Sequence, residues 1–195
     1  MNPFFSQTQY VLKRQGLAIS GKYKLFDLQG KEPLLFIEEK TKFLSSSTTI
    51  HTYTDEKKTN EVLTLKDRPS GTAEDMDIFD GETGQKIGSL LMDAQTATEI
   101  FKDVWEIRGA DDKPVGRIYE KLAKSLARDL ISHSLPTKLD VSVGDVEVAE
   151  LRQKFKAVGY ELEIDLSKDV SGLLDHRFAI AAGIMVAVLQ GRETN

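Results

Sequence analysis

The sequence predicts a mainly β protein, a closed antiparallel β-barrel that encloses one hydrophobic α-helix near the C-terminus. Two observations lead to this prediction. Strand-like runs alternate with Asp/Gly turns along most of the chain, and the run from Phe178 to Leu189 contains no charged or polar side chain. A helix that is apolar on every side must be buried all round. A barrel closed around it meets this need and leaves no unpaired strand edge.

Five hairpins are indicated by turn-forming residues between apolar runs. Asp-Gly and related clusters in such places are the strongest short-range hairpin signal. The turns lie at 29–31, 55–60, 80–84, 109–114 and 144–145.

Two segments show the period of two that is typical of a half-buried strand. In the first, Leu139, Val141 and Val143 are expected to face the core, and Val146 and Val148 to repeat this after the turn. In the second, the inward positions are Tyr160, Leu162, Ile164 and Leu166.

The apolar run near the C-terminus is too short to cross a membrane. As a helix, its residues span roughly 18 Å, whereas a bilayer core needs about 20 residues. No transmembrane segment is therefore expected.

A second helix is predicted over 119–135, with Pro136 at its end. Leucines and alanines recur at helical spacing, while Lys121, Lys124 and Arg128 lie on the opposite face. We expect this amphipathic helix to cover one barrel opening or lie on the outside. The alternative is that its cations bind a membrane surface.

Composition restricts the class of protein. The 195 residues suit one domain, 1–195, with a core over about 10–190. A net charge of −5 argues against nucleic-acid binding, and the absence of cysteine excludes disulfides and thiolate metal sites. No secretory signal is visible, so a cytoplasmic location is expected. Peripheral attachment to the cytoplasmic face of a membrane is the alternative.

No catalytic or cofactor motif is present. The acidic run from Asp75 to Asp80 misses the spacing of a calcium loop, and His51, His133 and His176 lack metal-ligand spacing. We therefore expect no metal, no cofactor and no enzyme activity. One enzymatic alternative stays open, a cleft at the mouth of the final helix near His176 and Asp175.

The best candidate binding residues are Arg152, Lys154 and Lys156. On a strand, these alternate cations share one face, an arrangement that suits a phosphate group. The alternative is a solvated barrel exterior.

The order of these segments resembles a known family. The hairpins "FDLQGKEPLLFIEE" and "VSVGDVEVAELRQKF", then "YELEIDL" and "LLDHRFAIAAGIMVAVLQ", are similar to the LURP-one-related family, which belongs with the phospholipid scramblases and the tubby C-terminal domain. The resemblance covers about Tyr10 to Gln190. It implies a barrel of about twelve strands around a hydrophobic helix.

The resemblance also suggests a ligand class. The tubby domain grips a phosphoinositide headgroup with basic residues on barrel strands, and the Arg152 stripe is similar in kind. The calcium motif of scramblases is replaced by "LSKDVSGLLDH", where Asp169 and Asp175 are sparse, and their cysteine cluster is absent. Calcium-driven lipid scrambling is therefore not expected.

Two functions follow from these observations. The first is a non-catalytic module that binds an anionic phospholipid headgroup or a similar phosphorylated ligand at the cytoplasmic membrane face. The second is a scaffold or regulatory protein that docks partner proteins without binding lipid.

Overall fold

Twelve antiparallel strands form a closed barrel. A computed structural model describes residues 3–16, 21–41, 47–68, 75–92, 101–121, 138–154 and 159–193. The strands are β1 Gln9–Arg14, β2 Lys22–Asp27, β3 Pro33–Thr41, β4 Thr48–Tyr53, β5 Glu61–Asp67, β6 Met76–Asp80, β7 Lys86–Met92, β8 Phe101–Gly109, β9 Pro114–Lys121, β10 Lys138–Val143, β11 Val146–Lys154 and β12 Glu161–Asp165.

Each strand pairs with its neighbours in chain order, and β12 pairs with β1 to close the ring. A short 3-10 helix, Pro3–Phe5, precedes β1, and the helix α1 spans His176–Glu193. The predicted fold class and all five hairpins are confirmed. β1 is the one strand of the barrel that no hairpin or alternation signal had indicated.

The helix α1 forms the centre of the core. Ile180 and Ile184 are fully buried, and Met185 is almost so. They belong to one apolar cluster with inward side chains of the strands, such as Leu12 and Leu63. Since the side chains between Phe178 and Val188 are buried in this cluster, no face of this part of α1 needs a polar residue. Among the described residues, no helix is long and apolar enough to span a bilayer.

Two glycines allow α1 to lie close to the barrel wall. A Cβ atom on Gly88 of β7 would come within 2.1 Å of the Arg108 carbonyl oxygen and 2.6 Å of the Phe178 ring. On α1 itself, a Cβ on Gly183 would lie 2.5 Å from Ile164 Cδ1. The lack of a side chain at these positions is therefore a packing requirement.

The predicted helix over 119–135 is wrong at its start. Tyr119, Glu120 and Lys121 belong to β9, where Tyr119 pairs with Asp140 and Lys121 with Phe101. Backbone pairing with strands on both sides outweighs the helical spacing of the side chains there. The remainder of the predicted helix lies outside the described residues.

The alternation in the β10–β11 hairpin is only partly as predicted. Leu139 and Val141 are buried, but the register shifts after Val141, so that it pairs with Ala149 and not with Val148. Val148 is buried within this bulge. Val146 is about half exposed because it lies at the end of the hairpin.

The burial of α1 gives a stability prediction. Ile184→Asp places an unpaired charge in the core and should remove several kcal/mol from a total of roughly 5–15 kcal/mol. Urea denaturation followed by circular dichroism measures the loss. Val170→Asp, at a fully solvated position, is the control and should leave the midpoint unchanged. Equal stability of both variants would mean that α1 is not the core.

The close approach at Gly88 gives a second prediction. Gly88→Ala should lower the free energy of unfolding by about 1–3 kcal/mol, because Arg108 or Phe178 must shift to admit the methyl group. Gly84→Asn is a suitable control. No atom lies within 4 Å of its added Cβ, and asparagine tolerates the positive φ of 68°. A Gly88→Ala protein as stable as the control would contradict this packing.

Candidate functional site

The predicted basic stripe lies on the outer face of β11. Arg152 and Lys154 flank the inward positions of this strand and are each about half exposed. Arg152 contacts Glu150 in an ion pair, and Lys154 Nζ lies 2.9 Å from Glu163 Oε2. The two cations thus share a face as predicted, but each already has a carboxylate partner. Lys156 lies outside the described residues.

The second predicted group of cations is not assembled within the described residues. Lys121 is the last residue of β9. Lys124 and Arg128 fall in the undescribed connection between β9 and β10. Their membrane-binding role stays a prediction.

Carboxylates cluster beside the basic stripe. Oxygen atoms of Asp140, Glu147 and Glu150 lie within 4.8 Å of one another. Such oxygens suit hard cations, although the sequence had suggested no metal site. Lys138 contacts Glu150 and lies 3.9 Å from Asp140, and Lys168 contacts Glu147. The carboxylates are therefore neutralised by side-chain cations in an ion-pair network.

A pocket that the sequence had not suggested lies between the β4–β5 connection and the outer face of β2 and β3. Two ion pairs hold the connection there: Lys58 Nζ lies 2.6 Å from Glu38 Oε2, and Lys24 Nζ lies 2.5 Å from Glu56 Oε1. The pocket is open to solvent on one side and has a volume of about 290 Å³. Its walls include Lys22, Phe36, Glu38, Tyr53, Glu56 and Lys58.

The charges of this pocket are mostly compensated. The hydrogen bond from Lys58 holds the pKa of the Glu38 carboxyl below its ordinary value. The Lys24 ammonium does the same for the pKa of Glu56. Within the described part of the chain, the exposed Lys22 forms no ion pair. Lys22 is the pocket cation without a contact-distance partner among the described residues, although it lies opposite Glu38 in the β2–β3 register and its charge adds to that of Lys58 in lowering the pKa of Glu38.

Aromatic rings complete the pocket wall. Lys24 Nζ lies 5.0 Å from the centroid of the Phe36 ring, a cation–π contact that fixes this ring. Tyr53 stacks on His51, with centroids 5.9 Å apart. His51 Nδ1 lies 2.5 Å from Glu61 Oε1, so the imidazole is oriented by a carboxylate. These rings give the pocket apolar surface in the same wall as Lys22.

The open enzymatic alternative concerned the mouth of α1. His176 Nδ1 lies 2.9 Å from the Phe5 carbonyl oxygen and donates to it. The Asp175 carboxylate instead accepts hydrogen bonds from Arg177, whose Nη1 also donates to Asp80 at 2.9 Å. His176 and Asp175 are therefore engaged separately, and the arrangement ties the start of α1 to the β6–β7 hairpin. His133 lies outside the described residues.

This tie predicts a pH dependence of stability. Burial opposes ionisation of Asp175, but hydrogen bonds from Arg177 outweigh it and lower the pKa of the carboxyl. A lowered pKa contributes stability above about pH 4 that is lost as the pH falls through the folded-state value. Asp175→Asn should lower the free energy of unfolding by about 1–2 kcal/mol at pH 7.

Urea titrations between pH 7 and pH 3 measure this effect. The gap between the native protein and Asp175→Asn should narrow toward pH 3. Asp145→Asn, at an exposed turn, is the control and should change stability by less than about 0.5 kcal/mol. A gap that is constant with pH would show that the charge of Asp175 is not what stabilises the helix start.

Comparison with known proteins adds no relative. No protein-family model, curated protein or solved structure matches the chain. The resemblance to the LURP-one-related family stays a prediction.

Proposed function

We propose that this barrel is a non-catalytic binding module for an anionic, phosphorylated group, such as a phospholipid headgroup at the cytoplasmic membrane face. The observation that carries the proposal is the pocket on the outer face of β2 and β3. It places Lys22, which forms no ion pair within the described residues, in the same wall as Phe36 and Tyr53. A volume of about 290 Å³ is at the lower end of the range for small-molecule sites, which suits a single headgroup.

The filled interior supports a site on the outside. The side chains of Ala181 and Ile184 are fully buried against the strands, so α1 occupies the space that holds a ligand in an open barrel. A ligand would then contact outward-facing residues. The family resemblance, in which basic strand residues bind a headgroup, suggests the same kind of surface.

The pocket is a better candidate than the β11 stripe. An anion that binds Arg152 or Lys154 must compete with Glu150 or Glu163 for the same cation. Lys22 lies opposite Glu38 in the β2–β3 register but forms no ion pair within the described residues, so an anion at Lys22 displaces no contact-distance partner. We therefore place the headgroup at Lys22 and give the β11 pair a smaller part.

Liposome flotation tests this proposal. Vesicles of neutral lipid, of neutral lipid with phosphatidylserine, and of neutral lipid with a phosphoinositide are compared at low and at physiological salt. We expect binding that requires anionic lipid and weakens with salt. Lys22→Gln should weaken it about fivefold, the effect of about 1 kcal/mol for one cation near an anionic surface.

Two further variants locate the site. Lys57→Gln removes an exposed cation from the β4–β5 connection and should leave binding unchanged. The double variant Arg152→Gln, Lys154→Gln should have a smaller effect than Lys22→Gln. The reverse order would move the site to β11. No flotation under any condition would contradict the headgroup function and leave partner docking as the function to test.

A further inference from the structure

The exposed apolar side chains are concentrated at one end of the barrel. Among the described residues, four large hydrophobic side chains are strongly exposed: Leu28 (59%), Val146 (51%), Val170 (93%) and Leu173 (45%). Leu28, Val170 and Leu173 lie on connections and Val146 is the first residue of β11; all four are at the end of the barrel where α1 begins. Single exposed apolar residues are common, whereas contiguous apolar patches are typical of interaction surfaces.

These connections are neighbours around the ring. The order of strands is β10, β11, β12, β1, β2, and the connections in question follow or join these strands. An ion pair between Lys168 and Glu147 links the β12–α1 connection to the β10–β11 hairpin. The amide of Leu166 donates to the Thr8 carbonyl oxygen at 2.7 Å and links it to the segment before β1. We call this surface, residues 28–32, 144–147 and 167–173, the apolar rim.

Hydrogen bonds order the β12–α1 part of the apolar rim. The Asp169 carboxylate accepts hydrogen bonds from the amides of Leu173 and Leu174, each at 2.8 Å. The Asp165 carboxylate accepts another from the amide of Ser167 at 2.8 Å. These bonds keep Val170 and Leu173 directed into solvent. A preformed surface loses little conformational entropy when it binds.

Carboxylates outnumber cations on the apolar rim. Glu32 and Asp145 are exposed and form no ion pair within the described residues. Lys31 is exposed as well, whereas the charge of Lys168 is used by Glu147. An anionic membrane would repel such a surface. A partner with apolar side chains between lysines or arginines would complement it.

We propose that the apolar rim docks a partner protein through a segment in which apolar side chains are flanked by basic residues. Val170, Leu173 and Leu28 contact the apolar side chains of that segment, and Asp145 and Glu32 contact its cations. The proposal is independent of the headgroup site, since the rim and the Lys22 pocket share no residue.

A synthetic helical peptide of leucine and lysine is the probe, and a peptide with the same pattern of leucine and glutamate is its control. Binding of the labelled peptides to the full chain is followed by fluorescence anisotropy. We expect the leucine/lysine peptide to bind, the leucine/glutamate peptide not to bind, and the affinity to fall with salt. Val170→Ser combined with Leu28→Ser removes the apolar contacts without changing the charge and should weaken binding at least about tenfold, the loss typical of a central apolar contact.

Two charge variants separate the rim from the general acidity of the protein. Asp145→Lys lies on the rim and should weaken peptide binding about threefold or more through like-charge repulsion. Glu82→Lys makes the same change on the β6–β7 hairpin, opposite β12 and β1 in the ring, and should leave binding unchanged. An unchanged melting temperature shows that each variant is folded.

Three results would overturn the proposal. The first is no binding of the leucine/lysine peptide. The second is an equal effect of Glu82→Lys and Asp145→Lys, which would mean that the peptide senses only net charge. The third is a Val170→Ser, Leu28→Ser variant that binds the peptide normally but fails to float with vesicles, which would assign the rim to a membrane.

Discussion

The barrel depends on the burial of a helix that has no polar face within its central three turns. Such a helix is stable in water only when a wall surrounds it, and a wall of strands has no free edge only when it closes. The close approach of Gly88 to Phe178 and of Gly183 to Ile164 shows that the strands pack closely against α1. The burial of α1 therefore depends on the pairing of β12 with β1, and the closed wall in turn needs α1 to fill its interior.

A filled interior moves binding to the outer surface and the ends. Two connections are held against the outer face of the barrel by ion pairs. The β4–β5 connection is held against β2 and β3 by the pairs Lys58–Glu38 and Lys24–Glu56. The β8–β9 turn brings Asp112 within 3.0 Å of Lys86 on β7. Ion pairs at a solvated surface contribute little stability individually. Here they position loops, and one of these loops, the β4–β5 connection, forms one side of the pocket.

The elements that the sequence predicted are those with a strong local signal. Turn residues located the five hairpins, and the apolar run located α1. The predictions were wrong where pairing with distant strands, and not the local sequence pattern, determines the structure. The bulge at Val148 shifts the register by one residue without a sign in the alternation, and Tyr119 extends a strand although its spacing is helical. The Lys22 pocket is formed by the β4–β5 connection together with β2 and β3. Because these segments are separated in the sequence, no local pattern predicts the pocket.

Strand register also explains why the predicted cationic stripe is less available than it looked. Arg152 and Lys154 do share a face, but across the sheet Arg152 is opposite Glu163 and Lys154 is opposite Glu161. Opposite charges on neighbouring strands attract each other at this distance. A stripe of cations along one strand therefore implies nothing about free charge until the facing strand is known. The same reasoning applies to carboxylates: at a turn such as the one at Asp145, which extends beyond the sheet, no strand in the described part of the chain faces the carboxylate with a counter-charge.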